Sequence, residues 1–168
     1  PQPVQAQSKA HENTLGRVPL ETPEVTDVNW LTTEPSKPLQ NLDTPTFVKL
    51  SNREKMSALC SAFHAGMDCP VAMNIVEAFL TAFSGPDQVH IVQQDKSFAH
   101  ITAVRAIVEQ IRRFGLHPRV VDVITVLSRN PGNQTLMGRE GVVEVVMAGM
   151  RDGATNRDLQ IACCRALN

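Results

Sequence analysis

The sequence contains no tyrosine, and aromatic residues make up only 4% of its 168 positions. Proteins that stack single-stranded nucleic acid depend on aromatic side chains, so this composition argues against such a surface. Four cysteines are too few for a disulfide-stabilised scaffold. The apolar runs are too short for a helix that crosses a bilayer. Sixteen basic against seventeen acidic residues give no overall attraction to nucleic acid or to an anionic membrane.

Sequence signatures of catalysis and of cofactor binding are also missing. We find neither a glycine-rich phosphate loop nor a glycine-flanked nucleophile. Cys60 and His64 lie four positions apart, as two metal ligands on one helix would, and Cys69 follows, but no fourth ligand accompanies them. We therefore predict a protein that is not an enzyme, uses no cofactor or metal, and takes no small-molecule substrate.

Proline is present in quantity, and it is unevenly distributed. Seven of the eleven prolines lie in residues 1–47, together with one glycine and three basic against six acidic residues. Proline at this density interrupts helices and cannot occupy central strands, so we predict an extended, non-globular and acidic arm over 1–47. Trp30 and Leu31 are predicted to anchor the arm, on a partner or on the chain's own body. A flexible tail is the alternative.

The start of the chain and its cysteines bear on processing and location. The chain begins with Pro1 rather than methionine and lacks the apolar core of a secretory signal, so we expect a processed form or a piece of a longer protein. Cys163 and Cys164 would point to opposite sides of a helix, and a disulfide between them would distort it. We therefore expect a reducing, intracellular compartment. The cytoplasm is the first choice, while the nucleus, a cilium or an organelle stays open.

From residue 48 onward, apolar residues recur at helical spacing. Ser51 and Glu54 form a capping-box pattern, Gly66 and Gly115 are predicted helix ends, and two prolines stand where first helical residues are expected. The segment 141–146 has strong strand propensity, but it lacks a second strand to pair with and is predicted as a buried helix. The predicted helices, each approximate at its ends, cover 51–65, 70–83, 97–114, 118–128, 134–138, 142–150 and 158–167, with a short segment around 89–92 after the second helix.

The helical part of the sequence repeats itself. When 71–83 is aligned with 119–128 at an offset of 48 positions, Phe79 falls on Leu127. A further offset of 40 positions places Leu127 on Leu167. A break that contains proline and glycine follows each of the first two copies. Periods of forty-odd residues that end in the same kind of helix are typical of a helical solenoid.

Residues 130–168, NPGNQTLMGREGVVEVVMAGMRDGATNRDLQIACCRALN, resemble an armadillo repeat. In that family a short first helix leads through a glycine kink into an apolar second helix, and a third helix ends in an Ala-Leu-x-Asn motif. Here Asn133 and Gln134 open the short helix, Gly141 marks the kink, and Ala166 and Leu167 belong to the third helix. The likeness is good over 118–168, weaker over 70–117 and absent over 1–50. HEAT repeats are the alternative.

The resemblance implies an all-α fold, specifically an armadillo-type right-handed α-solenoid fragment that follows the N-terminal arm. It assigns about two and a half repeats to residues 48–168. Since about three repeats are needed for independent stability, and since the last predicted helix would expose Leu159 and Cys163, we expect further repeats after Asn168 in the native protein.

The resemblance also implies where a partner would bind. In armadillo proteins the third helices stack and form the floor of a groove that holds extended peptides or partner helices. The matching positions here are Asn74, Glu77, Thr81, Asp122, Thr125, Arg129 and Arg165. Nuclear-import adaptors of this fold place tryptophan and asparagine on that face, and this sequence does not, so recognition of basic import signals is not expected. A solvated face without a partner is the alternative.

A basic cluster supplies a second candidate surface, made of Arg105, Arg112, Arg113 and Arg119. It would suit an acidic partner or nucleic acid, although a solvated face is the simpler interpretation.

The leading hypothesis is a non-catalytic protein–protein interaction scaffold or assembly subunit that uses the groove and the arm. The alternatives are an RNA-associated subunit of a ribonucleoprotein and a regulatory repeat domain of a larger enzyme. The expected partners are other proteins, rather than nucleic acid or a membrane.

Overall fold

The structure, a computed structural model, describes residues 44–166. In these residues the regular elements are α-helices and two 3₁₀ turns, Pro86–Gln88 and Lys96–Phe98, without a strand. The prediction of an all-α fold is confirmed for them, and none of their helices is both long and apolar enough to cross a membrane. The α-helices are α1 (Thr44–Lys49), α2 (Asn52–Ala65), α3 (Pro70–Phe83), α4 (Val89–Gln94), α5 (Ile101–Phe114), α6 (Pro118–Leu127), α7 (Pro131–Glu140), α8 (Val142–Asp152) and α9 (Arg157–Ala166).

A pair of helices joined by a short turn occurs three times: α2 with α3, α5 with α6, and α8 with α9. The turns after α2 and α5 begin at Gly66 and Gly115, which have φ angles of 89° and 83°. Glycine adopts such positive φ angles readily because it has no Cβ to clash with the backbone. Pro70 and Pro118 then occupy the first position of α3 and α6, where a missing N–H costs no hydrogen bond. The predicted helix ends and starts at these four residues are confirmed.

The pairs pack on one another in chain order. Among their second members, α3 contacts α6, and α6 contacts α9. Among their first members, α2 contacts α5, and α5 contacts α8. Helix α7, which precedes the third pair, also contacts α5. A single cluster of buried apolar side chains extends through all three pairs, and its aromatic centre is Phe83, whose ring lies 5.0 Å from Phe79 and 4.9 Å from Phe98. Leu159 and Cys163 of α9 belong to this cluster and are 3% and 0% exposed, so the prediction that the last helix exposes them is wrong.

The helical region includes residues that the sequence assigned to the arm. Helix α1 overlaps the predicted 1–47 segment, and its Phe47 is completely buried. The helix packs on α3. Because α1 has only six residues, it is too short to produce a recognisable helical periodicity.

The long helix predicted over 97–114 is divided in the structure. Its first residues form the 3₁₀ turn Lys96–Phe98, in which Asp95 Oδ1 accepts the N–H of Ser97 at 2.8 Å. His100 then has extended backbone angles, and its N–H donates to Asn133 Oδ1 at 3.1 Å. This long-range hydrogen bond takes the place of a helical one, so α5 begins only at Ile101.

The segment predicted as a break at 130–133 is in fact the start of α7. Asn130 caps that helix by accepting the N–H of Gly132 at 3.0 Å, and Pro131 is its first residue. Gly141, with φ 77°, forms the predicted kink before α8. After Gly141, residues 142–146 of the strand-prone segment are helical as predicted, with Val142 and Val146 buried.

Candidate functional site

The predicted groove residues are distributed over the three helices that pack in succession. Helix α3 carries three of them, α6 carries two, Arg129 lies two residues after α6, and α9 carries Arg165. Each is exposed or half-buried. The structure therefore places them on neighbouring helices, and their contacts divide them into two groups.

The first group includes an ion cluster that joins α3 to α6. Arg119 Nε lies 2.6 Å from Glu77 Oε1, and Arg119 Nη1 lies 3.2 Å from Asp122 Oδ2. These three side chains, which we call the ion cluster, are 45%, 43% and 30% exposed, so water screens their attraction. Arg119 contacts both carboxylates, so a cation of a partner would compete with it for either one. One guanidinium against two carboxylates leaves the ion cluster with one net negative charge.

His117 lies beside the ion cluster and caps α6. Its Nδ1 accepts the backbone N–H of Arg119 at 3.2 Å. Burial is the main cause that holds the pKa of the imidazole below its ordinary value, and the charge of Arg119 adds to it, whereas Asp68, Glu77 and Asp122 act in the opposite direction. The neutral imidazole is therefore favoured, and only that form offers an acceptor nitrogen.

Two further predicted groove residues bond within the chain. Thr125 Oγ1 donates to the carbonyl of Val121 at 3.0 Å, one turn before it. Arg129 Nη1 donates to the carbonyl of Phe83 at 3.0 Å, at the end of α3, where a positive charge complements the helix dipole. Thr125 therefore bonds within its own helix, and Arg129 joins the segment after α6 to the end of α3.

The second group consists of Asn74, Thr81 and Arg165. All three are exposed, and none of their side chains makes a hydrogen bond or an ion pair with another residue of the described part of the chain. Asn74 and Thr81 lie seven positions apart, so they share one side of α3 at a rise of about 10 Å. An amide, a hydroxyl and a guanidinium can together donate to and accept from a peptide backbone.

The predicted basic cluster does not form a surface of unbalanced cations. Arg105 makes a bidentate contact with Glu140, with Nε–Oε2 at 3.0 Å and Nη2–Oε1 at 3.1 Å. Arg113 pairs at 3.3 Å with the glutamate one turn before it, and Arg119 belongs to the ion cluster. Arg112 is exposed on the last turn of α5. With three of four charges balanced, these residues do not favour nucleic acid as a partner.

Cys60 and His64, the two possible metal ligands four positions apart, are buried or bonded within α2. Burial raises the pKa of the Cys60 thiol to about 12, so this residue offers no thiolate at neutral pH. His64 Nδ1 lies 2.8 Å from the carbonyl oxygen of Cys60. Across residues 44–166, no three His, Cys, Asp or Glu side chains are grouped to hold a metal ion, and all four cysteines are free thiols. Trp30 and Leu31, the predicted anchors of the arm, lie outside the described residues.

A buried amide that the sequence did not reveal connects consecutive helix pairs. Asn133, only 1% exposed, donates through Nδ2 to the carbonyls of Phe98 at 2.6 Å and Leu127 at 3.1 Å, and its Oδ1 accepts the N–H of His100. Asn130 acts in parallel, since its Nδ2 donates to the carbonyl of Val92 at 2.9 Å. The two side chains fix the start of α7 to the segment before α5. From the sequence, Asn130 indicated a break and Asn133 the opening of a short helix, and neither indicated a buried link between helices.

Comparison of this chain with protein-family models, with curated proteins and with solved structures gave no match. Its function is therefore argued from its own residues and contacts.

Proposed function

We propose that the chain is a non-catalytic, armadillo-type interaction scaffold that holds a segment of another protein on the face formed by α3, α6 and α9. The observation that carries this proposal is the packing order of the helix pairs. Each second member packs on the second member of the next pair. The first members do the same, since α2 packs on α5 and α5 packs on α8. Stacking of like elements in chain order is the arrangement that a repeat protein requires.

The spacing of the helices supports the same proposal. The starts of α3, α6 and α9 lie 48 and then 39 positions apart, and those of α2, α5 and α8 lie 49 and then 41 positions apart. Both series agree with the period of forty-odd residues in the sequence. The order of α7, Gly141, α8 and α9 in the last unit also supports the armadillo resemblance, which expects a first helix, a glycine kink, a second helix and a third helix. Helix α7 has ten residues, as many as α9, so it is longer than the short first helix that the resemblance implies.

The chemistry of the face favours an extended protein segment as the occupant. Every residue of such a segment presents one N–H and one carbonyl, and both need partners when water is displaced. Asn74, Thr81 and Arg165 supply unused donors and acceptors for them. The predicted role of Trp30 and Leu31 as a second contact stays a prediction.

The test uses substitutions that block the face without disturbing internal contacts. Reversal of Glu77 or Arg129 is unsuitable, because both bond within the chain. We instead choose Asn74→Arg and Thr81→Arg, singly and together, and we use Ser57→Arg as the control for each single variant because Ser57 is an exposed residue of α2. Proteins captured from a cell extract by the tagged full chain are quantified by mass spectrometry, and thermal unfolding is recorded for every variant.

The double variant is expected to retain its unfolding temperature and to lose at least about ten-fold in capture of a specific protein, equivalent to about 1.4 kcal/mol of binding. The Ser57→Arg control is expected to capture normally. Equal capture by all variants would contradict the proposal. Capture that disappears after ribonuclease treatment would instead support the ribonucleoprotein hypothesis.

A further inference from the structure

We propose that the contact between α3 and the start of α6, formed by His117, Glu77, Arg119 and Asp122, is sensitive to pH, and we call this contact the joint. Protonation of His117 at Nδ1 removes the hydrogen bond that caps α6. This inference concerns the conformation of the joint and does not depend on the proposed function.

The cap is specific to this helix among the three second members. The first N–H groups of a helix have no partner inside it, and a side-chain acceptor at the N-cap stabilises them. At the start of α3, Cys69 provides no side-chain cap. At the start of α9, Asn156 Oδ1 accepts the N–H of Leu159 at 3.1 Å, and an amide does not titrate. Only α6 has a cap, His117, that can gain a proton near neutral pH.

Protonation changes the cap from favourable to unfavourable. An imidazolium carries a hydrogen on both nitrogens, so Nδ1 would then direct a donor at the N–H of Arg119. The new positive charge would also lie at the N-terminus of α6, which is the positive end of the helix dipole. Both effects favour rotation of the ring away from the backbone, and the N–H of Arg119 would lose its partner.

The charged groups around the ring couple the cap to the ion cluster. Arg119 on α6 opposes protonation, whereas Asp68 in the turn before α3, Glu77 on α3 and Asp122 on α6 favour it. From α9, which also packs on α6, no charged side chain of the described residues acts on the ring. A rotated imidazolium would compete with Arg119 for Glu77 and Asp122, so loss of the cap also weakens the contact between α3 and α6.

The direction of the pH effect follows from the balance of these groups. Burial outweighs the carboxylates, so the pKa of His117 is lower in the folded chain than its ordinary value of about 6.5. The unfolded chain therefore binds this proton at a higher pH than the folded chain. The stability that His117 contributes is complete above its ordinary pKa and is lost as the pH falls towards the lowered, folded-state pKa.

The experiment measures urea unfolding of the full chain at pH 8 and pH 5 for the unmodified protein, His117→Asn and His117→Ala. Asparagine caps helices well and does not titrate in this range. At pH 8, His117→Ala should raise the unfolding constant about two- to thirty-fold, the range expected for loss of an N-cap, while His117→Asn should stay close to the unmodified protein. The difference between unmodified protein and His117→Asn isolates this histidine, since the contributions of the others cancel.

As the pH falls to 5, the unmodified protein should lose stability relative to His117→Asn and approach His117→Ala. Parallel pH dependence of the unmodified protein and His117→Asn would overturn the proposal. A second readout is amide hydrogen exchange, corrected for the intrinsic effect of pH. The Arg119 amide should lose protection as His117 titrates, while the Leu159 amide, capped by Asn156, should keep it. Constant protection of the Arg119 amide through that titration would also overturn the proposal.

Discussion

The two ends of α6 are held by different chemistry. At its start, His117 caps the helix with an imidazole, and the ion cluster of Glu77, Arg119 and Asp122 connects it to α3 across side chains that remain partly exposed. Just beyond its end, Asn133 is buried and bonds to three backbone groups, without any charge.

This difference separates an adjustable joint from a fixed one. Exposed ion pairs contribute little and are screened by salt, and a histidine cap depends on pH. A buried, fully bonded amide is insensitive to both and costs much free energy when it is removed. We therefore expect the junction between α6 and α7 to hold its geometry under conditions that loosen the start of α6.

The largest effect is expected from Asn133→Ala. The substitution leaves the buried carbonyls of Phe98 and Leu127 and the N–H of His100 without this partner, and it leaves a small cavity. The free energy of unfolding should fall by about 3 kcal/mol, measured by urea denaturation. Asn74→Ala, at an exposed asparagine of α3, is the control and should change it by less than about 0.5 kcal/mol. Equal effects of the two substitutions would show that the α6–α7 junction is not fixed by the buried amide.

Gln110→Met tests whether a buried amide stabilises only when it is bonded. Gln110 on α5 is 1% exposed, and neither Nε2 nor Oε1 has a hydrogen-bond partner within the described residues. Methionine has a similar shape and no such need, so the free energy of unfolding should rise by about 1 kcal/mol, with a higher melting temperature. A lower melting temperature would mean that the Gln110 amide makes a stabilising hydrogen bond. The comparison between an unpaired amide at Gln110 and a hydrogen-bonded amide at Asn133 would then fail.

The smallest effect is expected from Glu77→Gln at the adjustable joint. Removal of one carboxylate from the ion cluster should lower the free energy of unfolding by about 0.5 kcal/mol at low ionic strength. In 1 M salt the loss should disappear, because screening already removes the attraction. The effect of Asn133→Ala should not change with salt. A loss for Glu77→Gln that persists in 1 M salt would contradict the distinction between the two ends.

Local sequence signals predicted the start and end of α2, the end of α5 and the starts of α3 and α6. The Ser51 capping box is present, with its N–H donating to Glu54 Oε2 at 2.8 Å, and Gly66 and Gly115 end their helices. These features depend on neighbouring residues and on the φ angles open to glycine and proline. The division of the predicted 97–114 helix depends instead on a hydrogen bond from His100 to Asn133, which no local pattern reports.

The same limit applies to the candidate site. The armadillo resemblance assigned the seven predicted groove residues to the third helices, and they lie on α3, α6 and α9 or, for Arg129, two residues after α6. It did not show that Arg119, a residue assigned to a different cluster, would contact both Glu77 and Asp122. Pairing between separate helices depends on their packing, so the division of the face into bonded and unused side chains came only from the structure.

The central claim, that the face of α3, α6 and α9 holds a protein partner, is tested most directly by photo-crosslinking. A photoreactive amino acid replaces Thr81 on α3 in one sample and Ser57 on α2 in another, and both are exposed positions. After irradiation in a cell extract, we expect a discrete protein adduct from position 81 and none from position 57. An adduct from position 57 alone, or the same adduct from both positions, would contradict the claim.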